Sequence, residues 1–180
     1  MTPLNPPVAT AARKPSWRFL LSHPAHAIAL GFGSGLSPKA PGTVGTLWAW
    51  LMFLLLDRWL HGAAWGLAIA VAFVVGCWAC TLTARHLRVA DPSAIVWDEV
   101  IAFWIVLWLV MPTGWLGQTI AFALFRLFDA VKTGPVGWAD RLFKPRPGEE
   151  IGWRQGFGII FDDLVAALCT LVVIALWRGV

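Results

Sequence analysis

The stretch Ile95–Trp108, IVWDEVIAFWIVLW, carries two adjacent carboxylates, Asp98 and Glu99, at the front of a run otherwise apolar enough to lie in lipid. A charge in hydrocarbon costs at least ~2.5–3.5 kcal/mol on insertion scales, so such a pair is kept for a reason. Acids recur in apolar surroundings twice more, at Asp129 within FRLFDAVK (Phe125–Lys132) and at Asp162 and Asp163 within GIIFDDLVAAL (Gly158–Leu168). The expectation is that these acids meet and hold a metal ion.

Composition sets the medium in which they would meet. The chain has 180 residues, enough for one domain, and is 58% hydrophobic and only 13% charged, where a soluble domain carries roughly 25% charged residues. Mean hydropathy is +0.69. Thirteen Trp accompany no Tyr, and many Trp stand near the ends of apolar runs, as an interfacial belt requires. The chain reads as an integral membrane protein. A net charge of +4 does not point to nucleic acid, because the basic residues lie in loops between apolar runs without aromatic interleaving or zinc-finger spacing. Cys77, Cys80 and Cys169 all lie inside apolar runs, an odd count that argues against structural disulfides. The CWAC pair reads as small apolar residues in a helix. Residues 1–21 are expected to be a flexible leader, without the continuous apolar core of a cleaved signal peptide. Residues 22–180 are expected to form a single membrane-embedded domain.

The expected fold class is all-α, a polytopic membrane bundle of four to five apolar helices. Candidate spans are 43–60, 63–82, 94–111, 115–128 and 156–177. Ala63–Leu82 is the cleanest, twenty residues without a charge, which matches the ~20 needed to cross ~30 Å of hydrocarbon. Ser22–Gly33 reads as a short interfacial helix, and Lys132–Gln155 as a polar link. Gly31–Thr46, GFGSGLSPKAPGTVGT, has five Gly and two Pro and is expected to be a re-entrant or interfacial loop instead of a regular helix. With the N-terminus inside, twelve basic residues fall on the inner side (Arg13, Lys14, Arg18, Lys39, Arg85, Arg88, Arg126, Lys132, Arg141, Lys144, Arg146 and Arg154) and two, Arg58 and Arg178, outside. That obeys the positive-inside rule. The count takes no account of the acids, yet it brings every acid motif and the Gly/Pro loop to the same inner face.

At that face Arg126 and Asp129 are spaced i, i+3 and share a helix side, with Lys132 three further on. Adjacent acids differ by ~100° around a helix, so one of Asp98 and Glu99, and one of Asp162 and Asp163, is placed to bind metal directly. The other is left to orient water, hold a second ion or pair with Arg126 or Lys132. Oxygen ligands with no His or Cys nearby favour Mg²⁺ or Mn²⁺ over zinc. The alternative role for these acids is internal salt bridging between helices. The Gly/Pro loop offers Ser34, Ser37, Lys39 and Thr43 together with free backbone N–H groups, a phosphate-binding combination, although it is not a Walker loop.

Other phosphate chemistries are excluded by what is missing. Cys80 and Arg85 are separated by four residues where a cysteine phosphatase needs five, DAVKT does not fit a phosphoaspartyl motif, and His23, His26, His61 and His86 adjoin none of the acids. Metal-assisted hydrolysis of a phosphate remains.

Four of these motifs, in order, resemble those of bacterial phosphatidylglycerophosphatase A: the Gly31–Thr46 loop, VWDE (Val96–Glu99), FRLFD (Phe125–Asp129) and GIIFDDLVA (Gly158–Ala166). The resemblance covers most of residues 26–168. It implies an all-α, Mg²⁺-dependent, multi-pass enzyme of the bacterial inner membrane whose site faces the cytoplasm. Such an enzyme removes the terminal phosphate of phosphatidylglycerophosphate to give phosphatidylglycerol. It further implies Asp98, Glu99, Asp129, Asp162 and Asp163 as the catalytic acids, with Glu99, Asp129, Asp162 and Asp163 on the metal, and Arg126, Lys132, Ser34 and Thr43 on phosphate. The chain departs from the family where Thr133-Gly134-Pro135 stands for a PWP motif, at Ala102 in place of Gly, and in the length of Phe143–Gln155. Two rivals predict other patterns. A CDP-alcohol phosphotransferase would carry a DGxxAR motif, which is missing, and a cation transporter would place acids at the membrane midplane.

Overall fold

In a computed structural model, which describes residues 15–144 and 149–179, the segment around Asp98 forms a helix that is apolar around most of its circumference because most of it is covered. This helix, Trp97–Val110, buries ten of its fourteen residues. An all-round hydrophobic helix belongs in an interior, and the others assemble about it. In chain order they are α1 (Trp17–Leu21), α2 (Pro24–Ala29), a 3₁₀ turn (Gly31–Leu36), α3 (Pro41–Leu56), α4 (Ala63–Leu87), α5 (Trp97–Val110), α6 (Trp115–Val131), α7 (Gly134–Leu142) and α8 (Trp153–Arg178). Helices α3, α4, α6 and α8 all pack on α5, and no strand occurs among the described residues. Most of the expected leader, residues 1–14, lies outside the described residues, while Trp17–Leu21 is helical with Leu20 buried.

Among the described residues two helices are long and apolar enough to cross a membrane, α4 with 25 residues and α8 with 26, fewer than the four to five expected. At 1.5 Å per residue α3, α5 and α6 reach only about 24, 21 and 26 Å, short of ~30 Å of hydrocarbon. Their apolar runs are longer than their helices. Residues 94–96 leave the helix so that the Val96 N–H can donate to the Ala29 carbonyl at 2.9 Å, and 57–60 form turns. The Gly/Pro loop is also shorter than expected: α3 starts at Pro41, whose fixed φ suits the first helical turn. The expected polar link contains α7, started by Pro135 and carrying Val136 and Ala139 on one buried side.

Interior tryptophans tie the helices together, a role distinct from an interfacial belt. Trp97 donates to the Ala72 carbonyl at 3.0 Å, Trp104 to Ala49 at 2.9 Å and Trp65 to Asp57 at 2.9 Å. Each removes an indole N–H from an apolar interior where it would otherwise be unpaired. Close approach of α8 to α4 depends on Gly156, where a Cβ would meet the Thr81 side chain and the Cys77 carbonyl. Around α1, α2 and α4 three histidines far apart in sequence come together, with His26 Nε2 2.8 Å from His86 Nδ1 and the His23 ring 5.5 Å from that of His26.

Candidate active site

Asp98 and Glu99 occupy the first turn of α5, where unpaired backbone N–H groups favour negative charge. α8 runs alongside and brings Asp162 and Asp163 to the same level. The last turn of α6 adds Arg126 and Asp129, and Lys132 caps that helix. Together with Pro41 and Gly42 at the start of α3 and with Asp91, they line one cavity of about 310 Å³. The convergence of distant acids on one place is therefore a property of the fold.

The approach of α3 requires Gly42. A Cβ there would fall on Glu99 Oε1 and within 3.0 Å of the Arg126 guanidinium. Lys132 holds a left-handed backbone (φ 45, ψ 44) that a glycine would take at lower cost, a strain of roughly 1–2 kcal/mol. That geometry turns its ammonium between Asp162 Oδ2 at 2.5 Å and Asp140 Oδ1 at 3.0 Å. Burial opposes its charge, but the hydrogen bonds to Asp162 and Asp140 outweigh burial and raise the Lys132 pKa above the ordinary lysine range. Asp140, which also meets Lys144 at 2.6 Å, is held below the usual carboxylate range by the two ammonium groups, which outweigh its burial.

Arg126 is the second cation. It donates to Asp129, lies 3.5 Å from Glu99 Oε1 and 3.4 Å from Thr46 Oγ1, and keeps a buried Nε without a hydrogen-bond partner. The five acids thus divide. Asp129 and, at the longer distance of 3.5 Å, Glu99 are paired with Arg126, and Asp162 with Lys132. Asp98, Glu99 and Asp163 present carboxylate oxygens within 4.8 Å of one another. One oxygen of each (Asp98 Oδ1, Glu99 Oε2 and Asp163 Oδ2) is buried with no hydrogen-bond partner. Carboxylates this close repel unless a proton or a cation stands between them.

These orphaned oxygens fit a divalent cation. The cavity is lined by oxygen donors, with no His or Cys, as Mg²⁺ or Mn²⁺ prefers. Compared with the expected ligand set, Asp98 joins the converging oxygens, while Asp129 and Asp162 point to cationic partners. Ser34 and Thr43, expected on phosphate, do not line the cavity; Ser34 instead donates to the Gly31 carbonyl at 2.9 Å. Asp91 and Asp140 were not anticipated. Asp140 lies eight residues from Lys132, a spacing that points to a meeting only once α7 is recognised as a helix.

The sequence model of the phosphatidylglycerophosphatase A family matches residues 27–178. The chain belongs to the phosphatidylglycerophosphatase A family. Phosphatidylglycerophosphatase A of Escherichia coli K12 is 36% identical over 151 residues, covering 84% of this chain and 81% of its own length. The enzyme of the same name from Haemophilus influenzae is 35% identical over 160 residues, 89% of this chain and 92% of its own. A Bacteroides thetaiotaomicron protein, provisionally named a phosphatidylinositol-3-phosphatase, is 38% identical over 161 residues, covering 85% of this chain and 92% of its own. No solved structure matches the chain significantly. Membership in the phosphatidylglycerophosphatase A family makes the chain an enzyme, a phosphatase.

Proposed function

We propose that this phosphatase hydrolyses the terminal phosphomonoester of phosphatidylglycerophosphate, releasing phosphatidylglycerol and inorganic phosphate, with Mg²⁺ at the cytoplasmic face of a bacterial inner membrane. One observation carries the reading: Asp98, Glu99 and Asp163, each with a buried oxygen that lacks a partner, bring carboxylate oxygens within 4.8 Å of one another in the cavity that also holds Arg126 and Lys132. Six acids line that cavity against two bases, so a phosphate dianion enters only if further positive charge offsets the acids.

Asp98, Glu99 and Asp163 would hold the ion. Bound there, Mg²⁺ would supply Lewis-acid polarisation of the phosphoryl oxygens and neutralise part of their charge. Arg126 and Lys132, both lining the cavity, hold those oxygens in line with an attacking water. Asp129, oriented by the Arg126 hydrogen bond to its Oδ2, accepts the proton of that water. A new P–O bond forms as the ester P–O bond breaks, and the proton passes to the departing glycerol oxygen. Asp162 fixes the Lys132 ammonium in place.

Membrane placement rests on α4 and α8 and on the apolar side chains each of them exposes. Leu67, Val71, Val74, Leu168, Val172 and Leu176 all stand exposed, an apolar surface suited to lipid. Trp59, Trp115 and Trp177 stand exposed near one end of the helices, while Trp17, Trp138 and Trp153 do so near the cavity end, as two interfacial belts would require. The shorter α3, α5 and α6 complete the bundle within the bilayer.

Purified protein in mixed micelles is expected to release phosphate from phosphatidylglycerophosphate with Mg²⁺, to lose at least ~10²-fold of that rate in EDTA, and to favour this lipid over phosphatidylinositol 3-phosphate. Undiminished turnover in EDTA would remove the metal from the reading, and a preference for the inositol lipid would change the substrate.

A further inference from the structure

Directly beyond Lys132, a second cavity of about 420 Å³ opens between α6, α7 and α8, and its lining is almost wholly apolar. It adjoins the acid cavity at three places. Phe128 precedes Asp129, Thr133 follows Lys132, and Val165 lies one helical turn beyond Asp162. Along α8 the residues Asp162, Val165, Cys169, Val172 and Val173 follow i, i+3 and i+4 steps and so form one stripe. From Asp162 to Val173 the stripe is about 16 Å long. Gly134 and Pro135, where α6 turns into α7, line the same cavity as the α8 residues, so the stripe lies in a groove.

We infer that this groove holds an acyl chain of the lipid substrate, with the phosphate beside Lys132 and the chain running along α8 away from the acids. The inference rests on the proposed lipid phosphatase reading and adds to it which wall of the protein the lipid lies against. Three observations commit the groove to this occupant: its lining neighbours that of the acid cavity along α6 and α8, it is apolar, and it follows a helix long enough to cross a bilayer. A lipid seated this way delivers its headgroup with the scissile phosphate at a fixed depth. Chain length then enters KM more than kcat.

Cys169 is half-buried in the groove wall, and Cys169→Trp fills it. This variant is expected to raise KM for dioleoyl phosphatidylglycerophosphate about tenfold, while kcat for the dihexanoyl lipid stays within twofold of wild type. Leu127→Trp, on the exposed side of α6 outside the groove, is expected to change neither. Equal losses on both lipids, or no loss on either, would overturn the inference. Photo-crosslinking supplies a readout free of turnover. In the Asp163→Asn variant a phosphatidylglycerophosphate with a diazirine in its acyl chain is expected to label 165–173 and 128–135, and excess unlabelled lipid should compete. Labelling spread evenly over the exposed faces of α4 and α6, as by bulk lipid, would overturn it. If wild-type protein hydrolyses neither lipid but the groove is labelled specifically, the substrate reading fails and the lipid seat stands.

Discussion

Two polar clusters, each with buried members, sit toward the same end of this molecule, and they differ in how far the protein satisfies them. His26 is 2% exposed and has partners at both ring nitrogens: Nδ1 lies 3.0 Å from the Phe19 carbonyl and Nε2 lies 2.8 Å from His86 Nδ1. A carbonyl only accepts, so the His26 proton sits on Nδ1 and Nε2 accepts from His86. The ring also stacks on Phe19 with centroids 4.0 Å apart. In the acid cavity, by contrast, Asp98, Glu99 and Asp163 each keep a buried oxygen without a partner. A cluster completed by its own fold is architecture; a cluster left short of positive charge waits for a ligand.

The comparison breaks most readily at Asp163. Asp163→Asn removes one of the crowded carboxylates and is expected to lower phosphate release at least ~10²-fold. Without Mg²⁺ its thermal midpoint is expected to equal or exceed that of wild type, because repulsion is relieved. A folded variant with wild-type turnover, or one that melts well below wild type, would contradict the division drawn here.

His26→Ala is the converse. It removes one donor from the Phe19 carbonyl, which keeps those of Ser22, and breaks the bond to His86 and the stack on Phe19, and is expected to cost on the order of 1–2 kcal/mol, a fall of several degrees in thermal midpoint. Its kcat is expected to stay near that of wild type. A large fall in kcat with the midpoint unchanged would move the histidines into the catalytic machinery.

Mg²⁺ itself sharpens the contrast. At 100 times its Kd a ligand bound only by the folded state adds about 2.7 kcal/mol. Millimolar Mg²⁺ is therefore expected to raise the midpoint of wild type and of His26→Ala alike, and to lose this effect in Asp98→Asn. An equal rise in all three would place the ion elsewhere.

The smallest effect is a pH dependence. Burial, with help from His86 and His23 and against the pull of the Phe19 carbonyl, holds His26 below its ordinary 6.5. The unfolded chain therefore takes up this proton first as pH falls, and stability declines from pH 6.5 downward until the folded form is protonated too. Between pH 7.5 and 5.5 the thermal midpoint of wild type is expected to fall more than that of His26→Gln. Parallel curves would show that His26 contributes nothing to the slope.

Much of the fold was legible in local pattern. Ala63–Leu82 is apolar for longer than any turn allows, and α4 contains it. The charged side of FRLFDAVK follows from i, i+3 spacing, and Arg126 does donate to Asp129. Helix ends were less legible, because apolar residues continue past them. Residues 94–96 look like the start of a span, but Val96 is used to bond α2, a partner 67 residues away in sequence. α7 was missed because nine residues with a polar side have little average hydrophobicity, although Pro135 and the Val136/Ala139 spacing mark it.

The sequence by itself determined that the chain is helical and rich in apolar surface, that its acids and bases gather on one side, and which family it resembles. These properties depend on composition, periodicity and short motifs, each readable within a few turns of chain. Only the tertiary structure decided which acids keep a buried oxygen without a partner. Adjacent residues on a helix differ by ~100° in direction, and the neighbours that meet them come from other helices. Lys132, turned by a left-handed backbone, takes Asp162, and Arg126, admitted beside Gly42, takes Asp129. Asp98, Glu99 and Asp163 are left facing one another, and the partnering that separates them depends on helix packing that no stretch of sequence contains.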